Sequence, residues 1–149
     1  MANEKFGTLV TENMGGYTWY KNSRLNRITD WTNNAVIDVP SEIIYLKDED
    51  YGNVWSLCPN INSDDDEYYM TYGFGYSKLS CIKMGLLQEH TTFVPVKDNI
   101  KVNLLRLKNT TPEKKNLKLV YYIKPVLGED EIKEYGKNNH CSTTYCNDY

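Results

Sequence analysis

The densest group of potential acids and bases is a run of four carboxylates, Asp64-Asp65-Asp66-Glu67. Bond cleavage by carboxylates needs two carboxyl groups about 5–10 Å apart across a cleft, one of them kept protonated by its surroundings. Acids that follow one another in a polar loop repel each other and stay solvated, and no neighbouring residues shield one of these. We therefore predict a solvated loop here and no general acid.

Nucleophile and nucleotide motifs are also missing. No serine stands in a Gly-x-Ser-x-Gly elbow with a suitable histidine partner. The segment Gly73-Phe74-Gly75 lacks the third glycine and the following helix of a dinucleotide fingerprint, so it predicts only a tight turn. His90, a lone histidine in a strand-like run, is expected to be a solvated or hydrogen-bonded residue on a strand face. The sequence indicates no catalytic residue and no cofactor.

The spacing of the cysteines does not favour a structural metal. Neither the paired Cys-x-x-Cys ligands of a zinc site nor the dense cysteines of a disulfide framework are present. His140, Cys141 and Cys146 could hold zinc only with a fourth ligand from elsewhere. We expect no metal, and buried or incidental thiols at Cys58, Cys81, Cys141 and Cys146.

Aromatic residues are more suggestive, with 13 tyrosines and 3 tryptophans in 149 residues. Flat rings stack on the C–H faces of sugars, and Arg, Asn and Asp side chains orient the hydroxyls. A sandwich core also uses alternating aromatics, and AT-rich codon usage favours Tyr, Asn, Lys and Ile without any function. Trp55 is predicted to lie in the core, whereas core packing and ligand contact stay open for Trp19 and Trp31.

The elements that must position these side chains are strands. Residues 21–41 follow neither a helical nor a strand period and predict a long polar loop, which in compact domains is functional or disordered. β-Branched and aromatic runs between turns predict a hairpin over 42–57 and strands at 6–11, 17–20, 68–72, 76–84, 86–95, 100–109 and 116–125. In the last of these, Leu117, Leu119, Tyr121 and Ile123 alternate with Lys118, Val120, Tyr122 and Lys124. That alternation predicts one buried face.

About eight to ten strands with short links imply an all-β fold, an antiparallel β-sandwich with little helix. We expect one domain over residues 1–128 and a polar tail over 129–149, which frays after a helical turn or two at 129–137. The net charge of −3 disfavours nucleic-acid and membrane partners. Because no signal-like start or run of about 20 apolar residues is visible, a cytoplasmic location is expected.

Several motifs keep the order and spacing of a known family. They include Phe6-Gly7-Thr8-Leu9-Val10-Thr11-Glu12, Gly15-Gly16-Tyr17-Thr18-Trp19, Asn22-Ser23-Arg24, Gly73-Phe74-Gly75-Tyr76, Phe93-Val94-Pro95 and Leu105-Arg106-Leu107-Lys108-Asn109. Over residues 5–128 the chain resembles the glycosyltransferase 36 family, which is classed with the inverting phosphorylases of glycoside hydrolase family 94. From the motifs we expect a likeness to the cyclic β-1,2-glucan synthetase branch, beside the cellobiose and chitobiose phosphorylases.

The resemblance implies the N-terminal β-sandwich of such an enzyme, a galactose-mutarotase-like supersandwich. It also implies that the catalytic aspartate lies in an (α/α)6 barrel absent from these residues, so the chain is expected to lack catalytic activity. By position, the loop of residues 21–41 faces that barrel and its pocket. The candidate carbohydrate-binding residues are Trp19, Tyr20, Arg24, Asn26, Arg27 and Trp31.

The implied partners are a weakly bound β-linked gluco-oligosaccharide and either a second copy of the chain or the missing barrel. An alternative stays open, in which the chain is a structural or dimerisation module, or a truncated gene remnant, without sugar binding. In that case Arg24 and Arg27 pair with local acids and Trp31 closes the end of the sandwich.

Overall fold

Strands supply all the regular structure of the described chain. The computed structural model describes residues 1–34, 36–59, 61 and 65–128. The strands are β1 (Phe6–Val10), β2 (Gly16–Tyr20), β3 (Arg27–Thr29), β4 (Glu42–Asp48), β5 (Val54–Ser56), β6 (Tyr68–Gly73), β7 (Tyr76–Lys83), β8 (Leu86–Phe93), β9 (Val102–Asn109), β10 (Leu117–Ile123) and β11 (Pro125–Gly128). The predicted all-β antiparallel sandwich is confirmed. The helical turns expected at 129–137 lie outside the described residues.

Three antiparallel sheets organise these strands. Sheet A has the order β1-β2-β3-β11, sheet B the order β10-β4-β5, and sheet C the order β6-β7-β8-β9. The chain passes from sheet B to sheet A at Lys124, whose N–H donates to the Ser41 carbonyl while its own carbonyl accepts from the Asp30 N–H. No helix long and apolar enough to cross a membrane occurs in this part of the chain.

The predicted hairpin over 42–57 is confirmed, and its turn shows why it forms. Leu46 pairs with Trp55 across β4 and β5. The Asp48 carboxylate accepts the N–H groups of Asp50 and Tyr51, at 2.9 and 3.2 Å. Gly52 then adopts a φ of 76°, a conformation that glycine takes without steric cost. The predicted turn at Gly73–Gly75 is also confirmed, between β6 and β7.

The hydrophobic core lies between sheets B and C. Sheet B and the residue that follows it contribute Ile44, Leu46, Trp55 and Leu57, while sheet C contributes Leu79 and Leu86. Burying one such side chain stabilises the fold by about 1.5–3 kcal/mol. Trp55 is buried as predicted, and its indole N–H donates to Gln88 Oε1 at 3.1 Å.

Two sequence predictions about the strands were wrong. Residues 21–41 contain β3, which lies between β2 and β11 in sheet A. Three residues are too few to show a strand period, so tertiary pairing rather than local pattern fixes this strand. The expected alternation of burial in β10 is absent, since residues 118–123 are all exposed. Alternation marks the side chains that share a face, but burial also needs an element packed over that face.

Candidate functional site

An aromatic cluster lies on one face of sheet A, and β2 positions its first two members. Tyr17 and Trp19 are two residues apart in β2 and therefore point to the same face. Their ring centroids lie 5.0 Å apart with an interplanar angle of 36°. Thr18 points to the opposite face, where its hydroxyl lies 3.2 Å from that of Thr8. The aromatic cluster therefore occupies the side of sheet A away from these buried threonines.

Trp31 and Arg27 complete the aromatic cluster, which we define as Tyr17, Trp19, Arg27 and Trp31. The Trp31 ring stacks on the Tyr17 ring, with centroids 4.6 Å apart and planes 11° from parallel. Arg27 lies opposite Trp19 in the sheet, and its Cζ atom lies 5.4 Å from the Tyr17 ring centroid. Tyr17 is buried by these neighbours, whereas Trp19, Arg27 and Trp31 keep part of their surface in solvent.

Contacts with neighbouring residues fix the Trp19 ring and the chain just before Trp31. A Cβ atom at Gly7 would lie 2.3 Å from Trp19 Cζ2, so the indole rests directly on the β1 backbone. Next to Trp31, the Asp30 carboxylate accepts from Lys124 Nζ at 2.9 Å, and the Asp30 N–H donates to the Lys124 carbonyl. Sheet A therefore holds Tyr17, Trp19 and Arg27 of the aromatic cluster in place, and the contacts between Asp30 and Lys124 hold the segment that carries Trp31.

The remaining predicted residues lie apart from the aromatic cluster. Arg24 and Asn26 lie on an exposed turn, where Asn22 Oδ1 accepts the backbone N–H groups of Arg24 and Leu25. Tyr20 points to the opposite face from Trp19, and Lys21 Nζ lies 5.2 Å from the centroid of its ring. Among the described residues, neither Arg24 nor Arg27 forms a salt bridge with an acid, so the predicted local pairing is not observed there.

Tyr17 is the member of the aromatic cluster that sequence reasoning missed as a site residue. The signal was present, because Tyr17 and Trp19 share a strand face at a spacing of two. Of the four acids predicted to form a solvated loop, Asp64 lies outside the described residues, and Asp65, Asp66 and Glu67 are exposed, as expected. Asp66 forms a salt bridge with Lys83 at 3.0 Å, and Glu67 accepts from the Tyr69 hydroxyl at 2.6 Å.

A second polar site, which the sequence did not predict, lies where the three sheets meet. Glu42 of sheet B accepts a hydrogen bond from Thr18 of sheet A at 3.1 Å and from Lys101 Nζ at 2.8 Å. The Tyr121 hydroxyl donates to the same carboxylate and accepts from Asn103 Nδ2 of sheet C at 3.1 Å. The Glu42 and Lys101 side chains are only 10% and 14% exposed. We call these five residues the Glu42 network.

The electrostatics of the Glu42 network favour a fixed charge pair. Burial alone would raise the pKa of Glu42, but the Lys101 charge and the hydrogen bonds from Lys101, Tyr121 and Thr18 outweigh it and lower the pKa. Burial and the neighbouring carboxylate raise the pKa of Tyr121. Glu42 is therefore ionised at neutral pH, the opposite of what a general acid requires.

His90 lies against this network. The sequence predicted a residue that is either solvated or hydrogen-bonded. His90 is buried, so it is not solvated, and it is hydrogen-bonded. Its Nε2–H donates to Asn103 Oδ1 at 3.1 Å, and Nδ1 has no hydrogen-bond partner in the described chain. Both His90 and Glu42 line a cavity of about 20 Å³, enough for one water.

The thiols and acids that remain do not add a reactive centre to the described part. Cys58 and Cys81 are buried, as predicted. The Cys58 thiol donates to the Asn13 carbonyl at 3.0 Å, and burial raises the pKa of Cys81 to about 11. Cys141 and Cys146, together with His140, lie outside the described residues. No group of three His, Cys, Asp or Glu side chains within the described ranges could hold a metal ion.

Comparison with known proteins gives this sandwich a family. The sequence model described as "Glycosyl hydrolase 94, supersandwich domain" matches residues 1–149. The chain belongs to this supersandwich family. The resemblance seen in the sequence motifs is therefore confirmed at the level of the family and its domain.

Characterised relatives are far longer than the chain. The N,N'-diacetylchitobiose phosphorylases of Vibrio proteolyticus and Vibrio furnissii are each 32% identical over 126 residues, which cover 83% of this chain and 16% of theirs. The cyclic beta-(1,2)-glucan synthase NdvB of Rhizobium meliloti (strain 1021) is 28% identical over 134 residues, which cover 89% of this chain and 5% of NdvB. The supersandwich chain thus spans a small part of each relative.

Proposed function

We propose that this supersandwich domain is a non-catalytic module that contacts a β-linked gluco-oligosaccharide through its aromatic cluster. The observation that carries the proposal is the Trp31 ring, stacked on Tyr17 by one face and partly exposed to solvent. The other face of the Trp31 ring is held in a fixed plane by Tyr17, and a sugar ring can stack on such a face. The names of the relatives, an N,N'-diacetylchitobiose phosphorylase and a cyclic beta-(1,2)-glucan synthase, support a saccharide ligand.

Within the aromatic cluster, Arg27 adds a polar group beside Trp31 and Trp19 adds an apolar surface. Arg27 is held beside Tyr17 and carries several N–H donors, so it is placed to bond a sugar hydroxyl next to Trp31. A stacking contact and one hydrogen bond contribute about 1 kcal/mol each. The expected dissociation constant is therefore millimolar to high micromolar. A module this weak would act beside a catalytic (α/α)6 barrel, shaping how the substrate enters.

The absence of catalysis is proposed from the chemistry of the buried acids. Among the described residues the little-exposed acids include Asp48, which accepts backbone N–H groups in its hairpin, Glu42, which is paired with Lys101, and Asp30, which is paired with Lys124. Glu42 is held ionised, so it lacks the proton that a general acid must donate to a glycosidic oxygen. Action in the cytoplasm, expected from the sequence, remains part of the proposal.

Saturation-transfer NMR with cellobiose, chitobiose and β-1,2-linked glucobiose tests the proposal. We expect transfer to at least one disaccharide, and its loss in Trp31→Ala. Trp31→Phe should retain part of it because a smaller ring still stacks. Tyr51→Ala is the matched control, since Tyr51 is an exposed aromatic residue on the β4–β5 turn. No transfer at about 20 mM sugar, well above the expected dissociation constant, or equal losses in Trp31→Ala and Tyr51→Ala, would contradict the proposal.

A further inference from the structure

The hydrogen bonds of the Glu42 network run in one direction. Glu42 is ionised and can only accept, so the Tyr121 hydroxyl must donate to it. The Tyr121 oxygen is then left to accept, and Asn103 Nδ2 donates to it at 3.1 Å. This bond fixes the orientation of the Asn103 amide. Its Oδ1 atom therefore faces His90 Nε2, 3.1 Å away.

The same direction decides which ring nitrogen of His90 carries the proton. Burial lowers the pKa of His90 below its usual 6.5, so the ring is neutral at pH 7. Asn103 Oδ1 has no proton to give, so Nε2 must be the protonated nitrogen and Nδ1 is left as an acceptor. Nδ1 is buried, and no donor in the described part of the chain reaches it. Because a buried acceptor without a donor destabilises a fold, a donor is expected at this atom.

The cavity beside His90 has room for one small donor. Its volume of about 20 Å³ fits one water, which needs about 10–15 Å³, and leaves no room for a larger ligand. Lys101 also lines the cavity, and its ammonium carries three N–H groups, of which one is given to Glu42 in the described chain. A buried water needs two to four polar partners. The walls offer a donor, Lys101, and two acceptors, His90 and Glu42.

We propose that this cavity is a binding site for one internal water, which accepts from Lys101 Nζ and donates to His90 Nδ1. Lys101 already donates directly to Glu42 at 2.8 Å. The water adds a second path of hydrogen bonds from Lys101 to Glu42, which runs through His90, Asn103 and Tyr121. Every donor on this path meets an acceptor, so the water closes a ring of hydrogen bonds around the buried ion pair.

The bound water gives His90 a defined role in the fold. His90 lies on β8 of sheet C, and through the water both of its ring nitrogens join the Glu42 network. The inference does not depend on the proposed sugar contact, because no member of the aromatic cluster lines the cavity.

NMR on the unmodified chain near neutral pH tests the site directly. The ring ¹⁵N shifts of His90 should show a protonated Nε2 and an unprotonated Nδ1. The Hε1 proton, on the carbon between the two nitrogens, should give a cross-peak to water with the sign of a long-lived, bound molecule. A protonated Nδ1, or the absence of this cross-peak, would overturn the proposal whether or not any variant folds.

Oxygen-17 relaxation dispersion then counts the long-lived waters in two variants. His90→Phe keeps an aromatic ring but removes both nitrogens, so the signal should fall by about one water. Thr92→Val is the matched control, because Thr92 is buried and donates to Asn103 Oδ1 at 3.0 Å but does not line the cavity. It should keep the full signal.

The Thr92→Val variant also checks the source of the cross-peak. The Thr92 hydroxyl lies 3.4 Å from His90 Nε2, and its proton exchanges with solvent, so it could imitate a bound water. The cross-peak to His90 Hε1 should persist in Thr92→Val. Its loss there, or an equal relaxation signal in His90→Phe and the unmodified chain, would contradict the proposal.

Discussion

Replacing Glu42 by glutamine tests whether the Glu42 network joins the three sheets. The carboxylate balances Lys101, and both side chains are about nine-tenths buried. Glutamine keeps the size and a hydrogen-bond acceptor but removes the charge, so the Lys101 ammonium is left buried without a counterion. Breaking a buried pair in this way costs about 3–5 kcal/mol. Because the new amide oxygen can still accept from Thr18, we expect a loss of about 3 kcal/mol in the free energy of unfolding.

Urea unfolding followed by circular dichroism measures this loss, with Glu49→Gln as the matched control. Glu49 also pairs with a lysine, Lys47, at 2.9 Å, but these side chains are 43% and 44% exposed. An exposed pair contributes less than about 1 kcal/mol. The double variant Glu42→Gln with Lys101→Met should recover part of the stability, since the unpaired charge is gone. If Glu42→Gln cost no more than Glu49→Gln, the network would not be holding the sheets together.

Three further predictions concern packing and pH. Gly7→Ala should destabilise the fold by about 1–3 kcal/mol and shift tryptophan fluorescence, because the new methyl group would displace the Trp19 indole; unchanged emission would contradict the close contact. Leu46→Ala should cost about 2–5 kcal/mol by creating a core cavity, whereas exposed Leu25→Ala should change the urea midpoint little; equal effects would refute the assignment of the core. Burial lowers the pKa of His90 below its usual 6.5, outweighing the bond to Asn103, so the unfolded chain binds this proton more readily. The contribution of neutral His90 to the free energy of unfolding should therefore be complete above pH 6.5. Below that pH it should fall by at most about 1.4 kcal/mol per pH unit. Denaturation curves at pH 7.5 and 5.5 should show this fall in the unmodified chain and not in His90→Gln.

The strands and their turns could be predicted because their signals are local. In the hairpin of β4 and β5, alternating apolar residues define the strands, and Gly52 supplies the left-handed conformation of the turn. Strand β3 gave no such signal, since Arg27–Thr29 is short and polar and exists because β2 and β11 flank it. The burial of β10 was mispredicted for a related reason. Alternation shows which side chains share a face, but not whether another element covers that face.

The sequence singled out residues of the aromatic cluster only where they lie near one another in the chain. Trp19, Arg27 and Trp31 were singled out and meet around Tyr17, while Arg24 lies outside because the turn after β2 directs it into solvent. The Glu42 network could not be predicted at all. Glu42 and Tyr121 are 79 residues apart and meet only through the pairing of β4 and β10. Glu42 carries no local pattern that marks it as buried, and the alternation that includes Tyr121 does not identify the residue it meets.

The most direct test of the sugar contact follows the three indole N–H signals of the protein during a titration with a β-linked gluco-oligosaccharide. Trp31 stacks on Tyr17 with a partly exposed ring, and Trp19 borders it, so both signals should shift in a saturable way. Trp55 provides the internal reference, because its indole N–H is buried and bonded to Gln88. Shifts of Trp31 and Trp19 with a stationary Trp55 would support the account. Three stationary signals, or a shift of Trp55 alone, would contradict it.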